Sequence, residues 1–131
     1  MDEIKPGISA EVSELVGERL TAVSMRSGLV PAYATPAMIA LMEQASVAAI
    51  QKCLNEGQTS VGVEVNVQHL AATPAGLRVR ARSEVVAVAG RRVAFKVEAW
   101  DPQEKIGEGT HVRMVVDASR FIDRMGKKAG T

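Results

Sequence analysis

Residues 35–57 read TPAMIALMEQASVAAIQKCLNEG, and residues 59–69 read TSVGVEVNVQH. The change of period between these two runs decides the fold. The first opens with Thr35, able to cap free N–H groups, and with Pro36, which suits a first helical turn because it has no N–H to lose. It closes at Asn55-Glu56-Gly57, so a helix is predicted from Thr35 to about Leu54. At 100° per residue, Met38, Met42, Ala45 and Ala49 fall together, and Ile39, Val47, Ile50 and Leu54 fill another side. Only Gln44, Gln51 and Lys52 form a polar strip. A helix this apolar is expected to be buried.

The second run alternates. Val61, Val63, Val65, Val67 and His69 are predicted on one strand face, with Gly62, Glu64, Asn66 and Gln68 on the other. Working outward, Thr73-Pro74-Ala75-Gly76 breaks the pattern, and Leu77 to Val88 alternates again with Arg78, Arg80 and Arg82 outward. Ala89-Gly90-Arg91 reads as a tight turn. Val93, Phe95, Val97 and Ala99 line the next strand, which ends at Asp101-Pro102. Ile106 to Val116 is the last strand, and from Ser119 a short helix is expected, docked by Phe121, Ile122 and Met125. Towards the N-terminus, Ile8 to Val16 reads as a strand and Gly17 to Ala34 as a long loop or lid. Strands joined by such short turns are antiparallel. The economical way to bury one apolar helix is to wrap the sheet around it, giving an α+β fold of about five strands.

Composition excludes several functions. The chain has 131 residues, 47% hydrophobic and 24% charged, with a formal net charge of +1 and 3% aromatics. One domain over residues 1–131 is expected. Without a basic excess or clustered aromatics, no nucleic-acid partner is expected. The single cysteine, Cys53, rules out an internal disulfide and reads as a packing residue. Met1 to Pro6 lack the apolar stretch of a secretory signal, and Met38 to Ile50 is too short to span a bilayer. A cytoplasmic protein without a membrane partner is therefore expected.

Three residues carry candidate chemistry. Glu43 is the one Asp, Glu, Lys, Arg or His between Arg26 and Lys52. A carboxylate among aliphatic side chains must be paired or face a cleft. His69 ends its strand in phase with the valines, where the fold would let it approach Glu43; an imidazole with a carboxylate is general-base equipment. Thr35 is either the helix cap or a hydroxyl placed where free N–H groups favour developing negative charge. His111 reads as structural. The Arg78, Arg80 and Arg82 row, with Arg91-Arg92 at the neighbouring turn, reads as solvated surface, contact with the phosphates of a ligand being the alternative. Neither metal-ligand spacing nor a phosphate loop is recognisable, and no metal or cofactor is expected.

These residues carry a family resemblance. Tyr33-Ala34-Thr35-Pro36-Ala37-Met38 running into Leu41-Met42-Glu43, then Val67 through Gly76, then Ile106-Gly107-Glu108-Gly109-Thr110-His111-Val112-Arg113, resemble the fluoroacetyl-CoA thioesterase-like branch of the hot-dog superfamily. The likeness covers nearly the whole chain. It implies the hot-dog fold and hydrolysis of a short-chain acyl-CoA by Thr35, Glu43 and His69, with Gly62 and Arg113 shaping the acyl end of the pocket; the open edge and apolar surface of so small a sheet add the expectation of a homodimer. Two departures bear on fluoroacetate selectivity. The segment Arg26-Ser27-Gly28-Leu29-Val30 lacks the phenylalanine of the fluoroacetyl enzyme, and Val112 stands where the family often has glutamate. The rival readings are a non-catalytic acyl-CoA-binding module and a hydratase or dehydratase on the same fold.

Overall fold

The computed structural model describes residues 3–130. Met1 and Asp2, where the stretch read for a secretory signal begins, and Thr131 lie outside the described residues. Strand β1 (Ser9–Leu15) leads to a 3-10 turn and a short helix α1 (Ala22–Met25), then to the long helix α2 (Thr35–Ile50). Strands β2 (Gln58–His69), β3 (Arg78–Ala89), β4 (Arg92–Trp100) and β5 (Lys105–Asp117) follow, then helix α3 (Ala118–Gly126) and a 3-10 turn at Lys127–Ala129. The strands form one antiparallel sheet in the order β1-β3-β4-β5-β2.

The alternation in β3 and β4 fixes which face of the sheet meets α2. Val79, Ala81, Ser83 and Val85 of β3 and Val93, Phe95, Val97 and Ala99 of β4 are fully buried. Against them α2 packs Met38, Leu41, Met42, Ala45, Ala49 and Ile50. Burying each large side chain stabilises the fold by about 1.5–3 kcal/mol. The one polar pair in this layer is satisfied: Ser46 Oγ lies 2.7 Å from Ser83 Oγ and donates to the Met42 carbonyl at 2.9 Å. Gly107 lacks a side chain for a steric reason, because a Cβ there would collide with Met38 Sδ.

Four expectations are corrected. The helix stops at Ile50 and continues to Cys53 only as a 3-10 turn. It is not buried all round: Pro36, Ala40, Gln44 and Ala48 form an exposed strip. The Gly17–Ala34 segment is partly ordered by its own contacts, with the Glu18–Leu20 turn, α1 and a bridge between Thr21 and Tyr33. Phe121, Ile122 and Met125 of α3 stay exposed instead of docking on the core.

A fifth correction positions the site. The five alternating residues predicted on one face of β2 do not share it, because the register shifts between Gly62 and Glu64 and leaves Val63 as an extra residue. Paired residues of neighbouring strands point to the same side. Ser60 and Gly62 pair with Val115 and Arg113, whereas Val65, Val67 and His69 pair with His111, Gly109 and Gly107. The bulge therefore puts Ser60, Gly62 and His69 on the helix-facing side, a change of phase that a single inserted residue produces.

Candidate active site

Thr35 is the first residue of α2, not its cap. Ala34 occupies the cap position in an extended conformation and supplies no side-chain bond. The Thr35 hydroxyl is thereby released, and its Oγ1 lies 2.8 Å from His69 Nδ1. Backbone bonds hold both ends of this contact. Leu70 N–H donates to the Ile106 carbonyl at 2.7 Å, anchoring the strand end that carries His69. Tyr33 N–H donates to the Thr73 carbonyl at 2.8 Å, which ties the segment before Thr35 to the loop after His69.

The supports are polar and satisfied. Thr73 Oγ1 donates to Asp101 Oδ2 at 2.8 Å, and Asp101 Oδ1 accepts from the Gln103 and Glu104 N–H groups. Burial alone would raise the Asp101 carboxyl, but bonds from Gln103, Thr73 and Glu104 together hold it below the usual carboxylate range. The Tyr33 hydroxyl donates to Glu14 at 2.6 Å. Burial, then that bond and the Glu14 charge, push its pKa far above the ordinary phenol value.

His69 is held neutral. Burial lowers its pKa, and the Ala71 backbone opposes the shift only in part. Its Nε2 is buried without a hydrogen bond of good geometry. Thr35, His69, Tyr33 and Leu70–Ala72 line an open cleft of about 360 Å³. A hydroxyl against a neutral imidazole nitrogen, at the N-terminus of a 16-residue helix, can pass a proton and meet negative charge with the helix dipole.

Glu43 is elsewhere. It lies eight residues along α2 from Thr35, about 12 Å at the helical rise. Within one chain it does not pair with His69, contrary to the sequence expectation. Its Oε2 instead accepts from Arg113 Nη1 at 3.0 Å and lies 3.8 Å from His111 Nε2. The side chain is 40% exposed and faces an open cleft with Ala40, Gln44, Val47, Ala48 and Arg113. The cost of a carboxylate on an apolar helix is thus offset by a guanidinium and by solvent.

Arg113 is buried, and each of its three guanidinium nitrogens is engaged. Its Nε donates to Ser60 Oγ at 2.8 Å and Nη2 to the Ser60 carbonyl at 3.0 Å. Gly62 leaves the room this crowd occupies: a Cβ there would stand 2.5 Å from Glu43 Oε2, 3.2 Å from His111 and 3.3 Å from Arg113. Gly62 and Arg113 therefore meet at Glu43, while Thr35 meets His69. His111, taken as structural from the sequence, belongs to the Glu43 group; only the β2–β5 register could have revealed it. His69 and His111 lie four β2–β5 pairs apart, and among the described residues no group of three or more His, Cys, Asp or Glu could hold a metal. Arg80 pairs with Glu11 at 2.8 Å and lies over Trp100, and Arg82 pairs with Glu84.

This sheet, wrapped on one helix, is the hot-dog fold of the thioesterase superfamily. A Thermus thermophilus thioesterase superfamily member matches with a TM-score of 0.89 and 28% identity, over 99% of this chain and 98% of the other. The structure of the fluoroacetyl-CoA thioesterase FlK matches at 0.92 with 32% identity, covering 97% and 98%. The family model for fluoroacetyl-CoA-specific thioesterase matches residues 16–119. The fluoroacetyl-CoA thioesterase of Streptantibioticus cattleyicolor is 41% identical over 96 residues, 73% of this chain and 69% of that protein. The chain belongs to the fluoroacetyl-CoA-specific thioesterase family.

Proposed function

We propose that the protein hydrolyses a short-chain acyl-CoA to free acid and CoA, with Thr35, Glu43 and His69 as its catalytic groups and Gly62 and Arg113 at the acyl end. Family membership makes it a thioester hydrolase acting on acyl-CoA; the residue roles are the proposal. The observation that carries them is the 2.8 Å contact between Thr35 Oγ1 and His69 Nδ1 at the N-terminus of α2. Neutral His69 takes the proton of the attacking hydroxyl, either that of Thr35 or that of a water Thr35 holds. The carbonyl oxygen becomes an oxyanion beside the helix N-terminus. The C–S bond then breaks, and the proton passes to the departing thiolate; where Thr35 has attacked, a water activated by His69 next cleaves the acyl-Thr35 ester, releasing the acid and restoring the hydroxyl. One relative, a mutant of FlK, is known in complex with fluoroacetate and CoA. Without a phenylalanine between Arg26 and Val30, selectivity for fluoroacetate is not part of this proposal.

Glu43 enters through a homodimer. The outer edge of β2 has no neighbouring strand among the described residues, and Gly62 to Asn66, in mid-strand, are all exposed. Val63 is 49% and Val65 43% exposed, next to the exposed strip of α2. A free edge with apolar side chains is a pairing surface. Antiparallel pairing of two β2 strands about an axis between Val65 and Asn66 sets His69 of one copy opposite Gly62 of the other. Glu43 of the second copy, which sits over its own Gly62, then faces the Thr35–His69 contact. Each site takes its hydroxyl and imidazole from one subunit and its carboxylate from the other. We further assign this unit, residues 1–131, to the cytoplasm, where the free buried thiol of Cys53 persists; none of the described helices is long and apolar enough to cross a membrane.

Thiol release over a panel of short acyl-CoAs tests the reading. Release is expected from the wild type and is reduced about 10²–10⁴-fold in Glu43→Gln and His69→Ala. Binding without release by the wild type, or hydration of an enoyl-CoA without release, overturns it. Mass spectrometry of a quenched reaction distinguishes attack by Thr35, which leaves an acyl-Thr35 adduct, from attack by water.

A further inference from the structure

We propose that His111 is a positioning residue: as a neutral imidazole it accepts one Nη1 proton of Arg113 and so aims the other at Glu43, above the space left by Gly62. The inference rests on the catalytic role given to Glu43 and extends it to a residue that touches neither substrate nor the reacting atoms.

The tautomer follows from the partners. His111 Nδ1 lies 2.8 Å from the Glu64 carbonyl, which can only accept, so Nδ1 carries the proton. Nε2 is then a lone pair. It faces Arg113 Nη1 at 3.2 Å, a donor with two protons, of which the other goes to Glu43 Oε2 at 3.0 Å. With Nε and Nη2 committed to Ser60, four donor bonds fix the plane of the guanidinium. The imidazole plane is fixed in turn. It stacks on Phe95 of the adjoining strand, centroids 6.0 Å apart at 27°, and the residue is 1% exposed.

Charge favours the same neutral form. The groups facing His111 are Arg113 from its own strand, Glu43 from α2, the Glu64 carbonyl from β2 and the Phe95 ring from β4. Burial lowers its pKa, the Glu64 carbonyl raises it, the Arg113 charge lowers it and Glu43 raises it, with a net downward shift. Protonation would set two cations against each other at 3.2 Å and turn the acceptor into a second donor toward Glu43. An apolar replacement would instead leave a buried Arg113 N–H without a partner. Either change lets the guanidinium tilt and frees the half-exposed Glu43 carboxylate to swing into solvent. Reacting groups displaced by about 1 Å lose on the order of a hundredfold in rate.

The test compares His111→Leu with His111→Gln, whose side-chain amide can replace Nε2 as acceptor. With the acyl-CoA turned over fastest in the panel, H111L is expected to fold and to lose about tenfold or more in kcat while KM changes less. H111Q is expected to recover most of the loss. H111L with wild-type kcat, or H111Q as impaired as H111L, overturns the proposal. Should H111L fail to fold, ¹⁵N NMR of the wild-type histidines decides: an Nδ1-protonated neutral ring at pH 7 supports the positioning role, and an Nε2-protonated ring or an imidazolium overturns it. Glu43→Gln separates the two readings. If E43Q is inactive and H111L fully active, only the role of His111 falls; if E43Q is fully active, the site reading falls and takes this proposal with it.

Discussion

Two regions of α2 carry the candidate chemistry and solve opposite problems. At its first residue, Thr35 and His69 form a short contact with no charged side chain in it, where the helix terminus itself supplies the favourable field. Two turns later, Glu43 brings a charge onto an apolar helix and is met by Arg113, which His111 and Ser60 hold. The first region has a base but no carboxylate, and the second a carboxylate but no hydroxyl to activate. Each is half a catalytic set. A subunit can fold stably around two such halves because each is locally satisfied; in the homodimer we propose, a second copy brings them into register.

The strongest way to break this comparison is to mix subunits. Glu43→Gln and His69→Ala are each expected to be nearly inactive, yet a refolded equimolar mixture should regain roughly a quarter of wild-type activity. Half of its dimers are mixed, and each of these has one intact site. No recovery in a mixture shown to contain heterodimers would place all three groups in one subunit.

Gly62→Ala sharpens the second half alone. The new Cβ would strike Glu43 Oε2, the end of a flexible side chain, so the carboxylate should move and the fold should not. A loss of about tenfold in kcat is expected, with stability changed by about 1 kcal/mol or less. Thermal melts and steady-state kinetics on one preparation check it; a large fall in melting temperature with kcat intact would reverse the assignment.

Both halves contain a histidine held neutral, and the sign of the pH effect follows. His69 and His111 have folded pKa values below the ordinary histidine value. Below about pH 6.5 the unfolded chain therefore binds more protons than the folded one. The histidine contribution to stability should be level above that pH, fall as pH drops through it, and level again below the folded values. The acid limb of kcat/KM should lie below about pH 6.5, because neutral His69 persists there; a limb centred well above that value would contradict the burial of His69.

The smallest effect is expected away from both halves. Arg80→Ala removes an exposed pair with Glu11 and a contact with Trp100, so stability should fall by less than about 1 kcal/mol. KM for the thioester should stay within about twofold, and a severalfold rise would instead place the outer arginine row on the coenzyme phosphates.

Much of this molecule was legible in the chain. The run from Thr35 and the alternation of Val93, Phe95, Val97 and Ala99 fix their elements locally, because side-chain period and terminal signals depend on neighbours in sequence. The lone carboxylate and the histidine closing β2 stood out for the same reason. His111 did not, since its partners Glu64 and Glu43 belong to other elements, far from it along the chain.

By itself, then, the sequence determined the helix, the five strands and the residue types able to pass a proton, all set by local spacing and by solvation cost. Only the tertiary structure decided which of those groups meet. One bulged residue, Val63, turned His69 toward Thr35 and Gly62 toward Glu43, and the β2–β5 register brought Arg113 and His111 beneath that carboxylate. Strand register is a property of paired chains, and no single run of residues carries it.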